Sequence, residues 1–408
     1  MKITALETVQ LPKFPRHLWV LVHTDEGITG IGEAYDKVEL TKAAIHDFCS
    51  EVILGKDPLD NELLWQQMYD SANYTGYAGA EMRAIGAIDI ALWDIKGKAA
   101  GMPVYQLLGG KTQPSLKVYN TCISFGDIRD RELFLNDAGE LAQSLLEEGI
   151  SAMKIWPIDA LSERYNGQNV HRDVIRKGLE PFKKIRDAVG SKMEIALEMH
   201  SRWNLPMAER IAQEVEQYDP MWFEDPILVD DASNLAVLRS RIHVPLLASE
   251  RYYTRFQFRP LLEQNGADII MFDIGYSGGP TECKKIAGMA DAWRLPVTTH
   301  NCGSPLMTNV CAQLLISCPN STVMETVRSH YKLFDMFEEG ADIRDGHIYV
   351  SDKPGFGMTM KKEYLEAEDT IRVKTEAVTD HQLFAVTGDP WAVSPGDDQA
   401  ARIMPKLD

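Results

Sequence analysis

The chain has 408 residues, of which 45% are hydrophobic and 25% charged, with a formal net charge of −18 and a pI of about 5.0. That length allows one large domain with a smaller companion and a sizeable core, and the composition is that of an ordinary globular protein. The acidic balance argues against nucleic acid or an anionic membrane surface as partner, while leaving open an acidic small molecule held through a metal.

The chain starts MKITALETVQL, a strand-like alternation without the basic and apolar regions of a signal peptide, and no apolar run approaches bilayer length, so a cytoplasmic location without membrane contact is expected. ITALETVQL, LWVLVHT and ITGIGEA predict three strands, with a turn at Asp25-Glu26-Gly27. A helical pattern follows in which Met82, Ile85, Ile88, Ile90, Leu92 and Ile95 supply the apolar positions, ended by Gly101-Met102-Pro103. Residues 1–115 therefore read as an α+β module.

From residue 116 to 350 the character changes. Eight apolar runs, LKVYNTC, SAMKIWP, MEIALEMH, MWFEDPI, VPLLASE, DIIMFDIG, LPVTTHN and STVMETV, are each followed by a helix-length amphipathic segment. Continuous apolar strands alternating with helices mean a parallel sheet covered on both faces, and eight of them fit a barrel, which runs to about 250 residues. An open doubly wound sheet is less favoured, because no G-x-G-x-x-G stands at a strand-to-helix turn. Residues 351–408 return to turns and polar segments and are expected to pack back on the first module. The six cysteines, Cys49, Cys122, Cys283, Cys302, Cys311 and Cys318, form no CxxC pair and are expected to be free thiols.

Function in a barrel gathers at the carboxyl ends of the strands. There the chain places, one β/α unit apart, Lys154, Glu198 with His200, Glu224, Glu250, Asp273, His300 and Glu325. Three converging glutamates, Glu198, Glu224 and Glu250, would repel one another unless a cation neutralised them, and all-oxygen ligation points to Mg²⁺, or Mn²⁺, rather than zinc. His300 follows Asp273 by one strand, an arrangement in which the carboxylate orients the imidazole for acid or base work. If its strand is regular, His200 points to the same side as Glu198.

Together with these carboxylates and the Asp/His pair, the segments ITGIGEA (28–34), AIGAIDIALWDIKGKAAGMPVYQLLGG (84–110) and DKPGFG (352–357) resemble the enolase superfamily, mandelate racemase subgroup. The resemblance covers residues 1 to 360. It implies a modified (β/α)₇β barrel under an α+β N-terminal capping domain completed by C-terminal residues. It also implies one Mg²⁺ per subunit on Glu198, Glu224 and Glu250, a dyad of Asp273 and His300, and abstraction of the α-proton of a metal-bound carboxylate to give an enediolate. Glu325 matches the family's group near the substrate carboxylate, and Lys154 the first lysine of its K-x-K motif. A homo-oligomer, dimer or higher, is also expected.

Two departures refine this expectation. The second lysine of K-x-K, a base in racemases, is Trp156 here, read as a pocket wall. E-M-H-S-R (198–202) and E-R-Y-Y-T-R (250–255) are similar to galactonate- and mannonate-type acid-sugar dehydratases, which implies His300 as the base and His200 as the acid that helps the 3-hydroxyl leave. The implied product is a 2-keto-3-deoxy sugar acid, formed by a hydro-lyase. Lys154, Arg202 and Glu325 are then substrate-orienting or charge-balancing groups. The loops around Lys13–His17 and Tyr74–Met82, with Tyr74 as a candidate contact, are expected to set specificity. A racemase or epimerase of an α-hydroxy acid and a catalytically silent relative are the alternative readings. Glu198, where the family usually has Asp, is the departure that could displace the metal.

Overall fold

A computed structural model describes residues 1–377. Strands β1 (Ile3–Gln10), β2 (His17–Thr24) and β3 (Thr29–Tyr35) form an antiparallel meander. Their inward side chains pack on the helix Ala80–Ala100, and Leu18, Val20, Val22, Ile85, Ile88 and Leu92 share one buried cluster. That helix stops where Gly101 takes φ 64°, a left-handed cap that glycine reaches without strain. The contact is close because Gly30 and Gly32 lack a Cβ; one built on Gly32 would lie 1.9 Å from the Ala87 carbonyl oxygen.

The eight apolar runs become β4 (Leu116–Thr121), β5 (Ala152–Ile155), β6 (Glu194–Glu198), β7 (Trp222–Glu224), β8 (Leu246–Ala248), β9 (Ile269–Asp273), β10 (Val297–His300) and β11 (Met324–Thr326). Neighbours from β4 to β10 pair in parallel, and β11 pairs in parallel with β4. The ring closes where the Thr322 amide donates to Val297 O at 3.0 Å and the Val297 amide to Asn320 O at 2.9 Å. Seven helical crossovers join the strands, so the fold is the capped (β/α)₇β barrel.

Side chains alternate across each strand, which divides the barrel interior into layers. Tyr119, Ala152, Ala196, Trp222, Leu247, Met271 and Val323 make an apolar floor. One pleat further toward the carboxyl ends stand Thr121, Lys154, Glu198, Glu224, Asp273, His300 and Glu325, all buried.

Buried polar contacts tie the cap to the barrel. Asp89 accepts from the Thr281 amide and hydroxyl at 2.8 and 2.7 Å, and Asp94 from the amides of Ile31 and Phe356 at 3.0 and 2.9 Å. Glu33 accepts from the Ser304 amide and hydroxyl. The chain after the barrel forms a hairpin, β12 (Asp342–Arg344) and β13 (His347–Tyr349), and then β14 (Ile371–Glu376), which pairs antiparallel with β1. Neither the hairpin nor β14 is anticipated from the sequence pattern. The rest of the expected C-terminal segment, 378–408, lies outside the described residues. All six cysteines are unbonded, and no described helix is long and apolar enough to cross a membrane.

Because the Ala87 carbonyl cannot retreat without breaking its helix, Gly32→Ala is expected to destabilise the fold by about 3 kcal/mol, the upper end of overpacking costs, measured by denaturant unfolding.

Candidate active site

The polar layer opens into a cavity of about 1020 Å³ between the barrel mouth and the cap. Lys154, Trp156, Glu198, His200, Arg202, Glu250 and His300 line it from the barrel side, and Arg16, Tyr35, Asp36 and Arg83 from the cap.

Three carboxylates crowd one ammonium. Lys154 Nζ donates to Glu224, lies 2.8 Å from Glu325 Oε1 and 3.4 Å from Glu198 Oε2. Ligand atoms of Glu198, Glu224 and Glu250 all fall within 4.8 Å of one another. Burial raises Glu198 to about 7, against the pull of Lys154, and lifts Glu224 well above the usual carboxylate range, with the neighbouring Glu198 charge adding to it. Burial would also raise Glu250, but the charges of His300, Lys154, Arg251 and His200 bring it down to about 2. The cluster therefore holds more negative charge than Lys154 can meet. Three hard oxygen donors with that surplus fit a divalent cation.

His300 carries the second device. Its Nδ1 lies 2.7 Å from Asp273 Oδ2, while Asp273 Oδ1 accepts the Tyr276 amide at 2.9 Å, so the carboxylate is fixed from both sides. Asp273 thereby holds the proton of a neutral ring on Nδ1 and leaves the Nε2 lone pair, 3.0 Å from Glu250 Oε2, toward the cavity. Burial would lower the proton affinity of this ring; Glu250, Cys302, Glu325 and Asp273 overcome it and hold the pKa well above the usual histidine value.

His200 reaches the cavity by a different route from the one expected. The strand ends at Glu198, and His200 and Ser201 have φ of 50° and 56°, so side-chain alternation does not extend to it. The turn is held because Glu198 Oε1 accepts the amides of Met199 and His200 at 3.0 and 2.6 Å. His200 Nδ1 lies 2.8 Å from Asp159 Oδ2, near enough for an ion pair though not aligned as a hydrogen bond. Trp156 meets the imidazole edge to face at 5.9 Å.

Arg202 lies at the rim, pairing with Glu163 at 2.6 Å and standing 3.9 Å from Asp159. Tyr74 is not brought to the cavity: it ends a single 3₁₀ turn that buries Ala72, and it is 97% exposed. Sequence reasoning did not find Asp159, whose only signal is its place at the start of the helix after β5. Arg83 also lines the cavity from the cap. It donates to Tyr35 O at 2.8 Å and stacks on Tyr276 at 3.6 Å.

Residues 4–109 match the family described as mandelate racemase / muconate lactonizing enzyme, N-terminal domain, and residues 137–364 that described as enolase C-terminal domain-like. The chain belongs to the enolase superfamily, mandelate racemase subgroup. It is 35% identical over 372 residues to D-galactonate dehydratases of Pectobacterium atrosepticum and Variovorax paradoxus, covering 89% of this chain and 93% of each relative. A solved enolase of the mandelate racemase subgroup from Agrobacterium tumefaciens is 41% identical, with a TM-score of 0.85 over 92% of this chain and 99% of that one. An enolase protein from Sargasso Sea environmental sequencing is 31% identical, with a TM-score of 0.86 over 93% of this chain and 100% of the other.

Since a cation at the three glutamates relieves their mutual repulsion in the folded state only, adding a divalent metal to metal-free protein is expected to raise its melting temperature. Glu224→Gln is expected to shrink that rise, read by thermal unfolding with and without metal.

Proposed function

We propose that this protein is a Mg²⁺-dependent hydro-lyase of an acid sugar, an aldonate, with Mn²⁺ as an alternative metal. Its relatives named D-galactonate dehydratase support the class. The observation that carries the reading is the pairing of His300 and His200 on one cavity, with Trp156 where a second lysine base would stand. A racemase needs a proton carrier on each face of the α-carbon, and indole carries no transferable proton at neutral pH.

The residues then divide the work. His300, oriented by Asp273, removes the C2 proton through Nε2. Glu198, Glu224 and Glu250 would hold a divalent cation, whose charge would make a proton beside a carboxylate acidic enough to leave. His200, held by Asp159 and Trp156, gives a proton to the departing 3-hydroxyl, so that one water leaves. The enol that remains takes a proton at C3 and becomes the 2-keto-3-deoxy acid. Lys154 balances Glu224 and Glu325 beneath the substrate carboxylate, Arg202 orients the substrate at the rim, and Trp156 forms a wall.

A panel of acid sugars with Mg²⁺, D-galactonate among them, tests the reading: one member is expected to yield a 2-keto-3-deoxy product. If none is dehydrated while the α-proton of one exchanges with solvent, the reading fails.

The two histidines should separate by variant. His300→Asn is expected to abolish α-proton exchange and turnover, and His200→Asn to block elimination while sparing some exchange, each by a factor of about 10² or more. Proton exchange followed by NMR distinguishes them, and the reverse pattern would swap the roles.

A further inference from the structure

His300 has a neighbour that the proposed reaction does not use. Cys302, two residues on, lines the cavity, half-buried, with Sγ 3.3 Å from His300 Nε2. Glu325 completes a cluster in which one ligand atom from each of the three residues lies within 4.8 Å of the others.

Imidazole, thiolate and carboxylate around one point form the donor set of zinc rather than magnesium. The spacing agrees: a tetrahedral ion bonded to sulfur at about 2.3 Å and nitrogen at about 2.0 Å sets those two atoms about 3.5 Å apart. Glu325 Oε2 accepts one hydrogen bond, from the Asn301 amide at 2.7 Å, and a carboxylate oxygen has a second lone pair. Asp273 fixes His300 from the Nδ1 side, the support that histidine ligands of metals ordinarily have. The glutamate triad differs in kind, since it offers oxygen alone.

We propose that His300, Cys302 and Glu325 form a second, thiophilic metal site, specific for Zn²⁺-like ions, that shuts the enzyme down. Binding joins the ion to Sγ, Nε2 and a Glu325 oxygen and releases to solvent the thiol proton and the Nε2 proton of the imidazolium, with no change of oxidation state. Water or chloride fills the remaining position. The ion takes the Nε2 lone pair, so a substrate that reaches the cavity meets no base. Inhibition on these terms does not require loss of the metal from Glu198, Glu224 and Glu250. Its effect on turnover rests on the reading of His300 as the base; the binding itself does not.

The test is a Co²⁺ titration of the full chain in saturating Mg²⁺, watched in the near ultraviolet for thiolate-to-cobalt charge-transfer absorption. The band is expected in the unaltered protein and absent in both Cys302→Ser and Cys302→Ala, whose folding is checked by circular dichroism. Zn²⁺ should abolish the cobalt band by competition. Where the protein turns over an acid sugar, the Zn²⁺ concentration that halves each protein's own rate should rise at least about tenfold in both variants, the lower end of what losing a metal-site group costs. A band that never appears, or that persists in the variants, overturns the site. So does zinc inhibition that is unchanged in the variants and relieved by Mg²⁺, which places zinc on the glutamates. Failure of the dehydratase reading looks different: no acid sugar is turned over, while the cobalt band behaves as stated.

Discussion

Everything at this site follows from a surplus of buried negative charge. Glu198, Glu224 and Glu325 stand in one buried layer above an apolar floor, with Glu250 beside it, and a single ammonium, Lys154, sits among those three. In a low-dielectric interior such a group is tolerated only with counter-charge close by. Part of that counter-charge belongs to His300, which is why its proton affinity stays high despite burial. Metal affinity, base strength and the geometry of the strand ends are thus one electrostatic problem.

The cap is bound into the same problem. Glu33 holds Ser304, four residues beyond His300, and Asp89 and Asp94 hold the Thr281 and Phe356 segments. Glu33, Asp89, Asp94 and Phe356 lie in the segments that carry the family resemblance, so what looks like a signature in the sequence is in physical terms the seam between cap and barrel. A rigid seam lets Arg16, Tyr35 and Arg83 reach the cavity from elements far away in the chain. A catalytic pocket needs that precision, because misplacing a group by a fraction of an ångström lowers the rate.

The barrel was legible because its strands, buried on both faces, read as unbroken apolar runs at even spacing. The carboxylates were legible because each sits one pleat past that run. His200 was placed in the right cavity for an incomplete reason: the strand stops at Glu198, and a left-handed turn that no sequence rule assigns to a histidine turns the side chain inward. Its partner Asp159 depends on a crossover whose path the sequence does not state. β14 escaped notice because it is an exposed edge, bound to β1 through main-chain hydrogen bonds that almost any side chains allow. Tyr74 failed as a contact because the loop that carries it buries Ala72 instead.

We propose that two histidines facing one cavity, His300 and His200, drive elimination rather than inversion. Mass spectrometry and NMR of the reaction run in D₂O with the acid sugar that is turned over would test it most directly. The account predicts a 2-keto-3-deoxy product with one deuterium at C3 and recovered substrate of unchanged configuration. Recovered substrate inverted at C2 and deuterated there, with no keto product, would contradict it.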